Sequence, residues 1–577
     1  EIMPSLVGSE MCIRDRILHF RDFDVPDNHA LGLYRALAAC RSCHAGKLVF
    51  DTPAVYALDP AFCAERDLCI SNHGFNGPHR IAVLIEGMKD FEIDFAGSTL
   101  CLPGEATHIA ILGSEHITLR NFTLENPRTM VMQVRIVAHG DGFVDAEVMQ
   151  GGEQFVVRHG ELVCPKPRRT CNYGIELDVE LRGDTGEYQP GSADHNLGGL
   201  LRDMTCEYLP DGKLRIHGVH RYPPVGNILV LSAARRMGAG IFCCDSADVT
   251  CHNATVLSCH GMGFIAQTSR DIRLDGFHTR RPAGFAFSAV ADATHFVDCD
   301  GSVTVENCIF EGQLDDALNI HGMYTRIVDV ERDALLVREM HQEASGIRIF
   351  RAGDRIQLLN PKSLIPFSER IIRDVEYINS EIIRLSLEPL PPEVADSAAR
   401  IPAPEIRPGQ VVENISHNVA LTFRHNIVRC NRARGMLIAS RGRTVIEDCD
   451  FHTSGAAILC EANGEYWFES GGTQDVTIRN CMFDTCRHGG WGNAVIECAP
   501  REAVEAGRYF HRRIRVLDNS FRMASGGAPA AIFDNIADLC FRGNTLIPAP
   551  DGTPARILLS HIGRADIQSD VESEAKA

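Results

Sequence analysis

Short stretches in which apolar and polar residues alternate recur along most of the chain. Phe91-Glu-Ile-Asp94 and Ile117-Thr-Leu-Arg-Asn-Phe-Thr-Leu124 open the series, and Asp248-Val-Thr-Cys-His-Asn253, Asp271-Ile-Arg-Leu-Asp-Gly276 and Ser302-Val-Thr-Val-Glu-Asn307 continue it. Thr444-Val-Ile-Glu-Asp448, Asp475-Val-Thr-Ile-Arg-Asn480, Ile514-Arg-Val-Leu-Asp-Asn519 and Leu539-Cys-Phe-Arg-Gly-Asn544 carry it toward the C-terminus. A period of two is that of a strand buried on one face, so Val303 and Val305 are expected inward, with Thr304 and Glu306 outward. The polar residues Asn253, Asp275 and Asn307 follow one another at intervals of 22 and 32 residues, close to one coil plus loops of variable length. A single coil cannot bury its own inward side chains; stacked coils bury them and pair each other's edges. The pattern predicts an all-β chain, a right-handed parallel β-helix, with Asn253, Asp275 and Asn307 at corresponding turns.

Two regions break the rhythm. Residues 129–226 carry alternating strands, charged turns and Pro223-Pro224, while 324–409 carry Arg326-Ile-Val-Asp-Val-Glu331, Asp354-Arg-Ile-Gln-Leu-Leu359 and Ile382-Ile-Arg-Leu-Ser-Leu387. Both read as antiparallel β-barrel-like modules inserted in the solenoid. The expected organisation is an incomplete or non-native leader at 1–16, a cap and first coils at 17–128, the first insert, central coils at 227–323, the second insert, further coils at 410–560 and a polar tail at 561–577.

Of 577 residues, 57 are basic and 76 acidic, a formal charge of −19 that disfavours nucleic acid or an anionic membrane as partner and leaves a neutral sugar compatible. No apolar run is long enough to span a bilayer, and residues 1–16 lack a signal-peptide h-region. Many of the 22 cysteines, among them Cys251, Cys259, Cys308, Cys430, Cys449 and Cys481, fall in or just after apolar strands, where reduced thiols pack well. Cys40-Arg-Ser-Cys43 has no second pair to complete a metal site and is expected to end a helix over Leu31 to Cys40.

The candidate chemistry lies in the central coils. Asp292, in Ala291-Asp-Ala-Thr-His-Phe296, and the adjacent Asp315 and Asp316, in Glu311-Gly-Gln-Leu-Asp-Asp-Ala-Leu-Asn-Ile-His-Gly322, are 23 residues apart and can meet on neighbouring coils. Such a carboxylate cluster suits glycoside hydrolysis, which needs one acid for the leaving oxygen and one carboxylate for water or for covalent attack. Strict alternation places Asp315, Asn319 and His321 on one face and Asp316 on the other, so both acids reach a cleft only if the coil bends at the pair. A solvated turn or coil-capping network is the competing reading. Gln313, Asn319, His321 and Tyr324 are candidates to bond sugar hydroxyls, with His295 a structural partner of the acids rather than a metal ligand. Trp467 offers a sugar-stacking face or packing over a coil end, and Arg434 and Glu469 are sugar ligands or a loop-stabilising ion pair.

Ile70-Ser-Asn-His73, Ile117-Thr-Leu-Arg-Asn-Phe122, the two acidic motifs and Trp467-Phe-Glu-Ser-Gly471 occur in an order that resembles glycoside hydrolase family 110, the α-1,3-galactosidases, from about residue 17 to about residue 560. The resemblance implies exo-acting removal of terminal α-1,3-linked galactose by inversion without a metal or other cofactor, from a galactose-terminated oligosaccharide or glycoconjugate. It also implies Asp315 as general acid, Asp292 and Asp316 as the residues that orient and activate water, and a periplasmic or extracellular location, and it leaves a homodimer open. Phe75-Asn76 departs from the more acidic or polar segment expected after Asn72-His73. A polygalacturonase-like hydrolase and a non-catalytic glycan-binding β-helix remain alternatives. A pectate lyase is less well supported, because no basic residue stands out beside the acids in the sequence.

Overall fold

The computed structural model describes residues 16–74, 76–151, 155–165, 172–389, 405–568 and 572–575. The expected leader, apart from Arg16, and Phe75 lie outside the described residues. The structure is nearly all β. Among the described residues there is one α-helix, His29–Ser42, opened by Asn28, whose side chain accepts from the Leu31 N–H, and closed at Cys43, whose N–H returns to the Ala39 carbonyl.

Successive strands pair in parallel and in register. One face carries the column Val83, Ile109, Ile241, Phe264, Thr294, Leu318, Met436, Ile458, Ile496, Ala531 and Ile557. A second face carries Phe91, Ile117, Val249, Ile272, Val303, Leu421, Thr444, Val476, Ile514 and Leu539. Inside the stack, Phe423, Phe451, Phe483 and Phe521 lie ring on ring through four coils. Each coil covers its neighbour's apolar face, which stabilises by roughly 1.5–3 kcal/mol for each large side chain taken fully from water.

The corners explain the recurring polar residues. Asn121, Asn253, Gly276, Asn307, His425, Asp448, Asn480, Asp518 and Gly543 all adopt positive φ, a conformation that favours Gly, Asn and Asp. Asp275, expected at the same corner as Asn253 and Asn307, instead pairs with His252 and Glu306, so its neighbour Gly276 takes the corner. The side chains still bridge coils, Asn253 Nδ2 to Asn121 Oδ1 at 2.8 Å and Asn307 Nδ2 to Asp275 Oδ1 at 2.8 Å. Val303 and Val305 point inward as expected. Glu306 is buried rather than exposed, because Arg273 and Arg424 from adjacent coils close over it. Every described cysteine is a free thiol, and of those named above only Cys43 and Cys430 are half-buried.

The first insert holds an antiparallel sheet of six strands between Val131 and Ser232, past the expected boundary at 226, and a smaller one of three strands between Val156 and Gly174. Among the described residues the end strands of the larger sheet, Leu177–Leu181 and Thr205–Tyr208, do not pair with each other, so it does not close. The second insert closes on itself. Its strands Leu318–Val330, Ala334–Glu339, Ile382–Leu387, Pro366–Tyr377, Arg355–Leu359 and Val411–Asn414 each pair with the next, and the last pairs back with the first. The expected tail beginning at 561 is also different: strand Arg556–Ile567 runs through it and continues the stack.

Candidate active site

The parallel register brings the acids together. Thr294 pairs with Leu318 and Leu318 with Met436, so the residues two positions before these strands, Asp292, Asp316 and Arg434, form one column along the stack. The coil bends before Leu318, and that bend lets Asp315 and Asp316 both turn toward the column. Carboxylate atoms of Asp292, Asp315 and Asp316 all lie within 4.8 Å of one another. They floor a cavity of about 490 Å³ walled by Asn72, Asp194, Arg236, Arg432, Arg434, Glu461, Tyr466, Trp467, Glu469 and Trp491.

All six acid oxygens have partners. Asp292 Oδ2 lies 2.6 Å from His295 Nδ1, and its Oδ1 accepts from the Asp316 N–H at 3.2 Å. Asp316 accepts from the Arg434 N–H at 2.8 Å and from Arg434 Nη2 at 2.7 Å. Asp315 meets Arg236 Nη2 at 2.7 Å and Arg432 Nη1 at 3.3 Å. Burial first, then the Asp315 charge, pushes Asp292 up to about 7. Burial likewise pushes Asp316 up to about 8 against the pull of Arg434. The same spacing would suit a cation, but Arg236, Arg432 and Arg434 already supply positive charge beside the acids.

The wall comes from distant parts of the chain. Arg432 is held by Asp194 of the first insert at 2.8 and 3.0 Å, and Trp491 Nε1 donates to the same carboxylate at 2.9 Å. Arg236 leaves the first insert and also donates to the Asn72 carbonyl at 3.3 Å. From the second insert, His341 lies against Trp467 with ring centroids 4.8 Å apart.

A family model described as GLAA-B beta-barrel domain II matches residues 334–397. Alpha-1,3-galactosidase B of Bacteroides fragilis is 28% identical over 94% of this chain and 94% of its own length. That of Parabacteroides distasonis is 29% identical over 81% of this chain and 77% of its own. Alpha-1,3-galactosidase A of Shewanella woodyi is 28% identical over 86% and 80%. This chain is a relative of the α-1,3-galactosidases. Among solved structures, an exopolygalacturonase of Yersinia enterocolitica aligns at 11% identity over 97% of this chain and 79% of that one, with a TM-score of 0.41, too low to bear on chemistry.

In this α-1,3-galactosidase relative, Asn319, Arg434, Trp467 and Glu469 line the cavity together with the three acids. Gln313 and Tyr324 do not: Gln313 is buried on the Thr279 hydroxyl, and Tyr324 is buried among Leu359, Leu364 and Phe468. His321 faces His295 rather than the cavity. Arg434 pairs with Asp316, not with Glu469 as expected, and Glu469 instead approaches Asn319 Nδ2 at 3.3 Å and His321 Nε2 at 3.5 Å. The expectation that no basic residue stands beside the acids is overturned by three arginines. Asn76 is outside the cavity lining and donates to the Ser345 carbonyl of the second insert at 2.8 Å. Trp491 and Asp194 were missed. The chain has only two tryptophans, and both line the cavity, which was the available signal for Trp491. Asp194 had none.

Proposed function

We propose that this protein is an exo-acting α-1,3-galactosidase that removes terminal α-1,3-linked galactose by inverting hydrolysis, on coils wound as a right-handed parallel β-helix. The observation that carries the reading is the carboxylate cluster on the floor of a cavity with aromatic walls, in a chain whose relatives are named alpha-1,3-galactosidases. Right-handed winding is the usual hand of parallel crossovers.

Asp315 is the proposed general acid. Its side chain is 14% exposed, against 5% for Asp292 and 1% for Asp316, so it has the best access to a leaving oxygen in the cavity. Asp292 and Asp316 hold the water. Their oxygens are already engaged, yet each carboxylate oxygen accepts a second hydrogen bond, which suits water better than it suits a carboxylate that must free an oxygen to attack carbon. Spacing points the other way: closest oxygens within 4.8 Å sit nearer the roughly 5–5.5 Å group separation of retaining enzymes than the roughly 6.5–9.5 Å of inverting ones. Closest oxygens approach more nearly than whole groups, so the engaged oxygens carry the assignment.

The test is galactose release from linear and branched α-1,3-galactosides after exhaustive chelation, with the first anomer read by NMR. Inversion gives β-galactose first; α-galactose first would replace it with retention. Asp315→Asn should lower turnover of the natural disaccharide roughly 100- to 10,000-fold and that of an activated aryl galactoside much less. Uptake of glycan without turnover by the wild type would favour the binding-module alternative.

A further inference from the structure

Beneath the cavity floor, three hydrogen bonds run in line through buried side chains. Asp292 Oδ2 lies 2.6 Å from His295 Nδ1, His295 Nε2 lies 3.0 Å from His321 Nε2, and His321 Nδ1 lies 2.7 Å from the Gly322 carbonyl oxygen. Each link needs one hydrogen. A carbonyl only accepts, so His321 Nδ1 carries a proton; a second proton must lie between the two Nε2 atoms, whose lone pairs would otherwise oppose each other at 3.0 Å. A third lies between the carboxyl and His295. A carboxylate with two neutral imidazoles would hold two protons, so the chain carries one more than that.

That surplus proton has two positions. In one, Asp292 is a carboxylic acid, His295 carries its hydrogen on Nε2 and both rings are neutral. In the other, the Asp292 O–H bond has broken and His295 Nδ1–H has formed, while the His295 Nε2–H bond has broken and His321 Nε2–H has formed. Asp292 is then a carboxylate and His321 an imidazolium. Glu469 Oε1 lies 3.5 Å from His321 Nε2, on the side where that charge arrives. Asp292 and Glu469 both line the cavity, so the chain starts and ends at its wall.

We infer that His295 and His321 are positioning residues that relay a proton from Asp292 to the flank of Glu469, freeing the Asp292 carboxylate to take the proton of the attacking water. The inference rests on the hydrolytic reading above. In the step itself a water O–H bond breaks, an Asp292 O–H bond forms, and the hydroxide oxygen bonds to the anomeric carbon as the bond to the leaving oxygen breaks and that oxygen takes the Asp315 proton; Asp292 later returns its proton to solvent in the cavity, from which Asp315 regains one. The other charged and titratable groups facing the chain are His73, Arg236, Arg434, Asp315 and Asp316, with His341 and Glu461 facing its Glu469 end. Burial holds the His295 ring well below its usual value, which disfavours a proton resting there and suits a ring that passes it on. Burial raises Glu469, but His321, His295 and Arg434 outweigh it and keep the carboxyl anionic over a wider range.

Two measurements test this. The first needs no turnover: ¹⁵N-histidine NMR of the wild type near pH 6, with the rings assigned through His295→Gln and His321→Gln. It should show hydrogen on His321 Nδ1 and one hydrogen between the Nε2 atoms; two bare Nε2 atoms, or a bare His321 Nδ1, would overturn the relay. The second uses the α-1,3-galactoside that wild-type protein hydrolyses, so a wild type without activity defeats the hydrolytic reading and leaves the NMR result to judge the chain. His295→Gln keeps a donor for Asp292 but passes no proton, and Glu469→Gln removes the receiving charge. Each should lower kcat, roughly 100-fold for His295→Gln with KM within about threefold, and move the acid limb of the kcat profile up by about one pH unit. Limbs that stay in place with kcat within about threefold of wild type would overturn it.

Discussion

Two antiparallel sheets interrupt the same stack of coils and serve the cavity differently. The first sends charge into it from the segment that covers its edge strand: Asp194, whose carbonyl accepts from the Asp178 N–H, grips Arg432 and Trp491, and Arg236 emerges beside Asp315. The second closes on itself and sends a ring, His341, which backs Trp467. The edge strand Leu177–Leu181 of the first sheet is covered by the segment that carries Asp194 to the cavity, whereas the second sheet pairs its strands in a closed ring and His341 comes from a connection between them. Their effects should separate accordingly, the first insert governing turnover and the second governing binding.

The sharpest way to break this contrast is Asp194→Ala. Arg432 loses two hydrogen bonds and its grip on Asp315 loosens, so kcat should fall roughly 100-fold, the usual cost of misplacing a reacting group by about 1 Å, with little change in melting temperature. If kcat stays near wild type, the first insert is only scaffold. His341→Ala comes next. Loss of the ring contact, about 0.5–1.5 kcal/mol, should raise KM roughly two- to tenfold and leave kcat within about twofold. A fall in kcat larger than the rise in KM would erase the distinction.

A pH series tests the join of the second insert to the coils. His417 Nδ1 lies 2.7 Å from Asp298 Oδ2 of the stack and its Nε2 lies 3.9 Å from Asp354 of the insert. Burial pulls the His417 ring down, but the Asp298 hydrogen bond and charge outweigh it and raise it above 6.5. A raised histidine contributes stability that is complete below the unfolded value near 6.5 and is lost as pH climbs through the raised folded value. Asp298, raised by burial, acts in the same direction, losing its contribution as pH rises above 3.8 through its folded value. Thermal unfolding should therefore come at lower temperature at pH 8.5 than at pH 6, and His417→Gln should shrink that difference; an unchanged difference would remove His417 from the join. The smallest effect belongs to the exposed pair Arg338–Glu381 on the second insert: Arg338→Gln should shift stability by no more than about 0.5 kcal/mol and leave KM unchanged.

Much of the scaffold was legible in the sequence because alternation is local. A strand buried on one face announces itself within four or five residues, as Ser302-Val-Thr-Val-Glu-Asn307 does, and a corner in positive φ selects Asn, Asp or Gly. Asp292, Asp315 and Asp316 stood out for the same reason, as acids among apolar strands. Register did not stand out. A slip of one position moved the expected corner from Gly276 to Asp275, and the burial of Glu306 depends on arginines 33 residues before it and 118 after.

The sequence by itself determined that this chain stacks strands buried on one face and which acids lie among them, since periodicity, turn chemistry and an acidic motif are properties of neighbouring residues. Only the tertiary structure decided that Asp292, Asp316 and Arg434 share one column, that Asp194 holds an arginine 238 residues away, and that His321 turns from the cavity to His295. Those contacts depend on how loops of unequal length bring one coil over the next, and loop length places no mark on the residues it brings together.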